Sequence, residues 1–165
     1  MTVPGERTEA QLAIIEALKS LPRDLEHETD GLSDAVLRYR PAEGEYSIKE
    51  IAGHLRDLAE VWHKRLYAMW SLNDPRWSSF DGEASVRANN YQDGDLKALI
   101  AAIRDWRTQT ADLMAKAVDW TRLGQHPEMG RRSMRQWAEF MVEHDREHIQ
   151  AIRALKEAQT AARLP

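Results

Sequence analysis

Residues 133–155 read SMRQWAEFMVEHDREHIQAIRAL. Ser133 and Gln136 stand three apart as a capping box, in which each side chain satisfies an otherwise unpaired amide at a helix start. Trp137, Met141, Ile152 and Leu155 then recur at helical spacing, and the helix is expected to run to about Ala158. At about 100° per residue, and taking Trp137 as zero, Met141 falls at about 40°, His144 at about −20°, His148 at about 20° and Ile152 at about 60°. This places two imidazoles, one turn apart, in the middle of the apolar stripe. Such a stripe is stable only against partners, so the rest of the chain must supply them.

Three further segments carry the same spacing. A second capping box, Ser47-Ile48-Lys49-Glu50, opens a helix whose stripe is Ile51, Leu55, Leu58, Trp62, Leu66 and Met69 and which reaches about Trp70. An earlier helix spans about Glu6 to Thr29 through Leu12, Ile15, Leu18 and Leu25, with a kink or break expected near Leu21 because Pro22 lacks an amide donor. Asp30-Gly31 ends it, and Ser33 caps a short turn through Val36 and Leu37. The remaining helix starts near Asp95 and shows Leu96, Leu99, Ile103, Trp106, Leu113 and Ala117. Residues 71–93 have no clear period, 123–130 read as a loop, and no strand alternation is sustained. The expectation is an all-α four-helix bundle forming one domain over residues 1–165. An antiparallel neighbour needs only a short loop, whereas the long stretch between the second and third helices suits a crossover. The bundle is therefore expected to run up-down-down-up.

The composition restricts the chemistry. With 165 residues, 42% hydrophobic and 30% charged, the chain can bury one core. A net charge of −4 with no dense basic run argues against a dedicated nucleic-acid binder. There is no cysteine, hence no disulfide, thiolate ligand or Cys nucleophile, and any metal must be held by His and carboxylate. The opening MTVPGERTEAQ lacks a secretory signal, and no apolar run is long enough to cross a membrane. A cytoplasmic protein acting on a small molecule is expected.

Of the six histidines, three point inward. Besides His144 and His148, His54 lies at about −60° from Ile51, on the inner half of the second helix, while His63 lies near 120°. A single inward histidine is ordinarily a core residue with a hydrogen-bond partner. Three of them in apolar stripes are costly, at about 1–3 kcal/mol each if left unpaired. One divalent cation satisfies all three, and an i, i+4 pair presents two imidazoles on one face. Three imidazoles also leave coordination positions open, as catalytic zinc sites do. Asp57, one turn after His54, is a candidate to orient an imidazole or act as a base. Glu143, Asp145 and Glu147 are expected on a solvated face, and the tryptophans mainly in the core.

The segments LRYRP (37–41), EGEYSIKEIAGHLRDLAEVWHKRL (43–66) and RLGQHPEMGRRSMRQWAEFMVEHDREHIQAI (122–152) resemble the DinB/YfiT-like superfamily, of the DinB-2 type. The resemblance implies a divalent metal, commonly zinc or nickel, bound by one His early in helix two and an H-x-x-x-H pair in the last helix. Those positions are His54, His144 and His148. Tyr46 stands where relatives commonly have Trp, and Ala151 where they tend to have Gln, with Gln150 one residue earlier. His126, in GQHPEMG, matches a loop His of relatives; it either approaches the mouth of the site or only stabilises a turn. The resemblance further implies a thiol S-transferase using a cosubstrate such as bacillithiol or mycothiol. Alternatives are metal-assisted hydrolysis with Asp57 or His126 moving protons, a non-catalytic metal-binding stress protein that dimerises through exposed bundle surface, and a bundle without metal. A homodimer is expected for a bundle of this size.

Overall fold

In the computed structural model, which describes residues 6–162, the capping signals place the helix starts. Thr8 and Gln11 form a reciprocal box at the head of α1 (Glu9–Thr29), Ser33 caps the short α2 (Asp34–Arg38), and Ser47 and Glu50 open α3 (Ile48–Ser71). Asp95 caps α5 (Leu96–Lys116), and Ser133 with Gln136 opens α6 (Met134–Ala161). The first residues, read above as lacking a secretory signal, lie outside the described ones. No described helix is long and apolar enough to cross a membrane.

Three expectations are corrected. The break at Leu21 does not occur: α1 continues through Pro22, which is itself buried between the buried Leu18, Leu21 and Leu25. Packing on both flanks outweighs the hydrogen bond that proline removes. The stretch without a period contains helix α4 (Gly82–Asn89), capped by Asp81, and a single 3₁₀ turn at Tyr91–Asp93. The 123–130 loop is the first half of a hairpin, β1 (Leu123–His126) paired antiparallel with β2 (Gly130–Ser133) in the register Leu123↔Ser133 to His126↔Gly130. Gly130, at φ +81, accepts the left-handed backbone that the tight return needs. The free edge of β1 is taken by the crossover: Gln125 N–H donates to Pro75 O at 2.8 Å, and Trp77 N–H to Gln125 O at 3.0 Å.

Helix directions follow from which residues meet. Arg7 reaches Ala115 O and Arg104 pairs with Glu26, so α1 and α5 are antiparallel. His63 meets Thr110, while Ile48–Leu55 share a cluster with Ile100 and Ile103, so α3 and α5 are parallel. Trp62 packs on Trp137 and His54 on His148, making α3 and α6 antiparallel, and Glu28 pairs with Arg153, making α1 and α6 parallel. The bundle is up-down-down-up, with α4 riding in the connection between the two parallel helices. Its apolar core falls into two clusters, one around Trp62, Met114 and Trp137 and the other around Leu25, Leu55 and Ile152. Polar side chains occupy the layer between them.

A candidate metal centre between two antiparallel helices

His54 projects from the second turn of α3, and His144 and His148 from successive turns of α6. One ring nitrogen from each lies within 4.8 Å of the others. The Nε2 atoms of His144 and His148 are 3.1 Å apart, and the His54 ring centroid is 5.0 Å from that of His148 and 5.7 Å from that of His144. A tetrahedral cation with bonds of about 2.0–2.1 Å needs donors roughly 3.3 Å apart, so small ring rotations suffice. His54 Nδ1 is buried with no hydrogen-bond partner, a cost that needs a reason. Burial pushes all three imidazoles below their ordinary pKa, His144 to about 4 and His148 to about 3; repulsion from neighbouring imidazoles adds to the effect at His144 and His148, while Asp57 opposes it at His54. They are neutral at physiological pH, as ligands must be. The donor set fits a divalent cation.

The buried residues of α6 (Met134, Trp137, Ala138, Met141, Asp145, Ile149, Ile152 and Leu155) span an arc from about 0° to 120° from Trp137. His144 and His148 therefore edge the buried face rather than centre it. Asp145, expected in solvent, lies at about 80° and is only 7% exposed. It accepts two hydrogen bonds of 2.7 Å from Arg107 of α5. His63 is elsewhere, bonded to Thr110 Oγ1 and packed on Trp106.

Asp57 does not orient an imidazole. One carboxylate oxygen accepts from Tyr91 Oη and Arg56, the other from Ser85 Oγ at 2.7 Å. It ties α4 and the 3₁₀ turn to α3. The crossover so anchored brings Gly82 against His54, where a Cβ would lie 2.9 Å from the His54 Cε1. His126 stabilises a turn and also faces the site. Its Nδ1 accepts from the amides of Glu128 and Met129 at 3.1 and 3.2 Å, which leaves the ring proton of the neutral form on Nε2. Its ring packs on Trp62 and Trp137, and it shares a small cavity with His54 and His144.

Two spaces meet at the imidazoles. A groove of about 770 Å³ lies beside His54 and His148, floored by Ala151, Ala154 and Ala158, with Tyr46 on one wall and Glu45, Asp81 and Glu83 at its rim. Ala151 thus widens this groove, while Gln150 faces the opposite side, near Arg153. A cavity of about 190 Å³ lies beside His54 and His144 and reaches Arg65 and His126. Arg65, which the sequence did not single out, is only 7% exposed.

A model of the DinB superfamily matches residues 17–152. The chain belongs to the DinB superfamily. The chain is 26% identical over 149 residues to the uncharacterized protein YuaE of Bacillus subtilis, covering 79% of this chain and 90% of that one. Its fold is similar to that of YfiT from Bacillus subtilis, at a TM-score of 0.86 and 16% identity, over 97% of this chain and 94% of that one. YfiT is described as "a probable metal-dependent hydrolase with an unusual four-helix bundle topology". The DinB fold and the cluster of three histidines together support divalent-metal binding at His54, His144 and His148.

Proposed function

We propose that this DinB-superfamily protein is a metal-dependent S-transferase that joins a low-molecular-weight thiol, of the bacillithiol or mycothiol kind, to an electrophilic small molecule. The observation that carries this reading is the pair of spaces meeting at one set of imidazoles, which gives two substrates room to reach one ion. A zinc or nickel ion held there supplies Lewis acidity and favours the thiolate form of a bound thiol. His54, His144 and His148 stay neutral and fixed by their helices. The alanine floor leaves room for the body of one substrate, and Phe80 and Gly82 border both spaces and limit water. The Nε2–H of His126 is a donor to the substrate in the smaller space. In the reaction the thiol gives its proton to solvent and the sulfur electron pair forms an S–C bond. The bond from that carbon to the leaving group breaks, and the leaving group departs with that bond's pair as an anion.

Metal-assisted hydrolysis is the second reading, favoured by the description of YfiT and by the open coordination of a three-histidine site. Asp57 is committed to the crossover instead, its oxygens accepting from Tyr91, Arg56 and Ser85. One assay separates the two. The metal-loaded full chain is given a chromogenic haloarene with cysteine-derived thiols, and p-nitrophenyl esters without thiol. Thiol consumption that requires metal and is lost in His144→Ala supports the transferase. Ester cleavage without thiol favours hydrolysis. Stoichiometric metal with neither activity across a broad screen overturns both, leaving a metal-binding protein.

A further inference from the structure

Among the described residues, Arg65 is a buried cation without a carboxylate partner. Its Nη2 donates to Ser78 O at 3.1 Å, and among the described residues no other hydrogen bond is made by its guanidinium, which carries five N–H donors. The guanidinium lies over the rings of Trp62 and Trp77, 4.9 and 5.4 Å from their centroids. Glu128, the acidic group nearest in effect, is turned to Ser79 Oγ at 2.7 Å. A cation largely withdrawn from water is normally paired, because its desolvation is costly. Arg65 instead borders the 190 Å³ cavity that ends at His54 and His144.

Two donor-bearing side chains line that cavity. Arg65 is three turns after His54 on the same flank of α3, about 16 Å along the axis, and helical side chains lean back toward the N-terminus. His126 lines the same space with its proton held on Nε2. The walls between are apolar, formed by Leu58, Phe80, Met129 and Phe140. One cation and one neutral donor suit a single negative charge, and a planar guanidinium suits a planar oxyanion. The volume is below that of sites for drug-sized ligands, so it takes a small molecule or one end of a larger one.

We propose that Arg65 and the Nε2–H of His126 form a carboxylate-binding subsite, and that the substrate of the smaller space is a small apolar monocarboxylate with its reactive end toward the three imidazoles. The substrate class rests on the metal-centred reading above, whereas the subsite rests on the cavity alone.

The test is binding of benzoate, benzamide and inorganic phosphate to the full chain, zinc-loaded and chelator-treated, read by calorimetry and by tryptophan fluorescence. Trp62 and Trp77 flank Arg65 and supply the optical signal. Benzoate is expected to bind saturably in both metal states, at least tenfold tighter than benzamide and than phosphate. Arg65→Gln should lose tenfold or more for benzoate with benzamide unchanged, and Arg65→Lys should lose several-fold because it keeps charge but not the planar fork. Equal affinity for benzoate and benzamide overturns the proposal without recourse to any variant. So does an Arg65→Gln protein, folded by circular dichroism, that binds benzoate as the parent does, or a preference for phosphate. Benzoate binding in a protein that takes up no metal would retain the subsite and remove the metal-centred reading.

Discussion

Asp145 and Arg107 are joined by two hydrogen bonds of 2.7 Å within the bundle, one residue from His144. The pair bridges α6 and α5, which are diagonal in the bundle, and sits in the polar layer between the two apolar clusters. Removing one partner strands the other. Asp145→Ala is expected to destabilise by about 3–5 kcal/mol, read as a lower urea midpoint. The double variant Asp145→Leu/Arg107→Met should recover most of that loss, because no uncompensated charge is left. Equal midpoints for the single and double variants would show that packing, not charge, governs the layer.

Gly82 and Gly53 hold the crossover at two points, and each should fail differently when given a methyl group. Gly82→Ala places Cβ 2.9 Å from His54 Cε1 and 3.1 Å from Nδ1, so the ring must turn. Zinc affinity is expected to fall about tenfold, roughly 1.4 kcal/mol, with little change in helix content. Gly53→Ala drives Cβ into the Tyr91 ring, whose hydroxyl binds Asp57. Overpacking there should cost about 1–3 kcal/mol and speed proteolysis within residues 72–95. Digestion unchanged from the parent would mean the crossover is held elsewhere.

The pH dependence of the metal-free protein has a definite sign. In the unfolded chain a histidine titrates near 6.5, whereas burial holds His144 at about 4 and His148 at about 3 in the fold. The unfolded state thus binds protons that the folded state refuses. Stability from these groups is complete above about pH 6.5 and is lost as pH falls toward 4 and 3. Urea midpoints of chelator-treated protein should fall across that window, and less steeply in His148→Gln. Superimposed profiles for parent and variant would contradict this.

Metal should act as a stabilising ligand. Tag-free protein is expected to carry near-stoichiometric divalent metal, absent from His54→Ala and His144→Ala. Free zinc at 100 times its Kd would add about 2.7 kcal/mol to the parent. A thermal scan with and without chelator measures it, and an unchanged Tm together with empty parent protein would remove the metal centre.

The four long helices and their directions were legible because α3 and α6 begin with capping boxes and their stripes repeat at helical spacing. The histidine triad was legible for the same reason, since the rotation of each residue about its helix follows from its number. Asp145 was misplaced because the arc was drawn from the apolar residues alone, and the buried face of α6 extends round to a charged residue paired with Arg107. Arg65 gave no signal in the sequence: an arginine near the edge of a stripe ordinarily carries its head to solvent. The hairpin escaped because its strands have four residues each and contain Gly, Gln and Arg. Helix α4 buries only Val86, which leaves too little apolar pattern to read.

The parallel course of α3 and α5 obliges the chain to travel back along the whole bundle, and that return segment is what borders the imidazoles. Frame and lid are therefore different parts of the sequence. Glu83, Arg87, Ala88 and Asn89 of that segment are exposed and can vary in size and charge, while Trp77, Gly82 and Ser85 are held by their contacts with Trp137, His54 and Asp57. The same scaffold can thereby acquire new substrates by drift in one connection, which makes evolvability a by-product of the topology. Shortening that connection to a tight turn would require reversing α5.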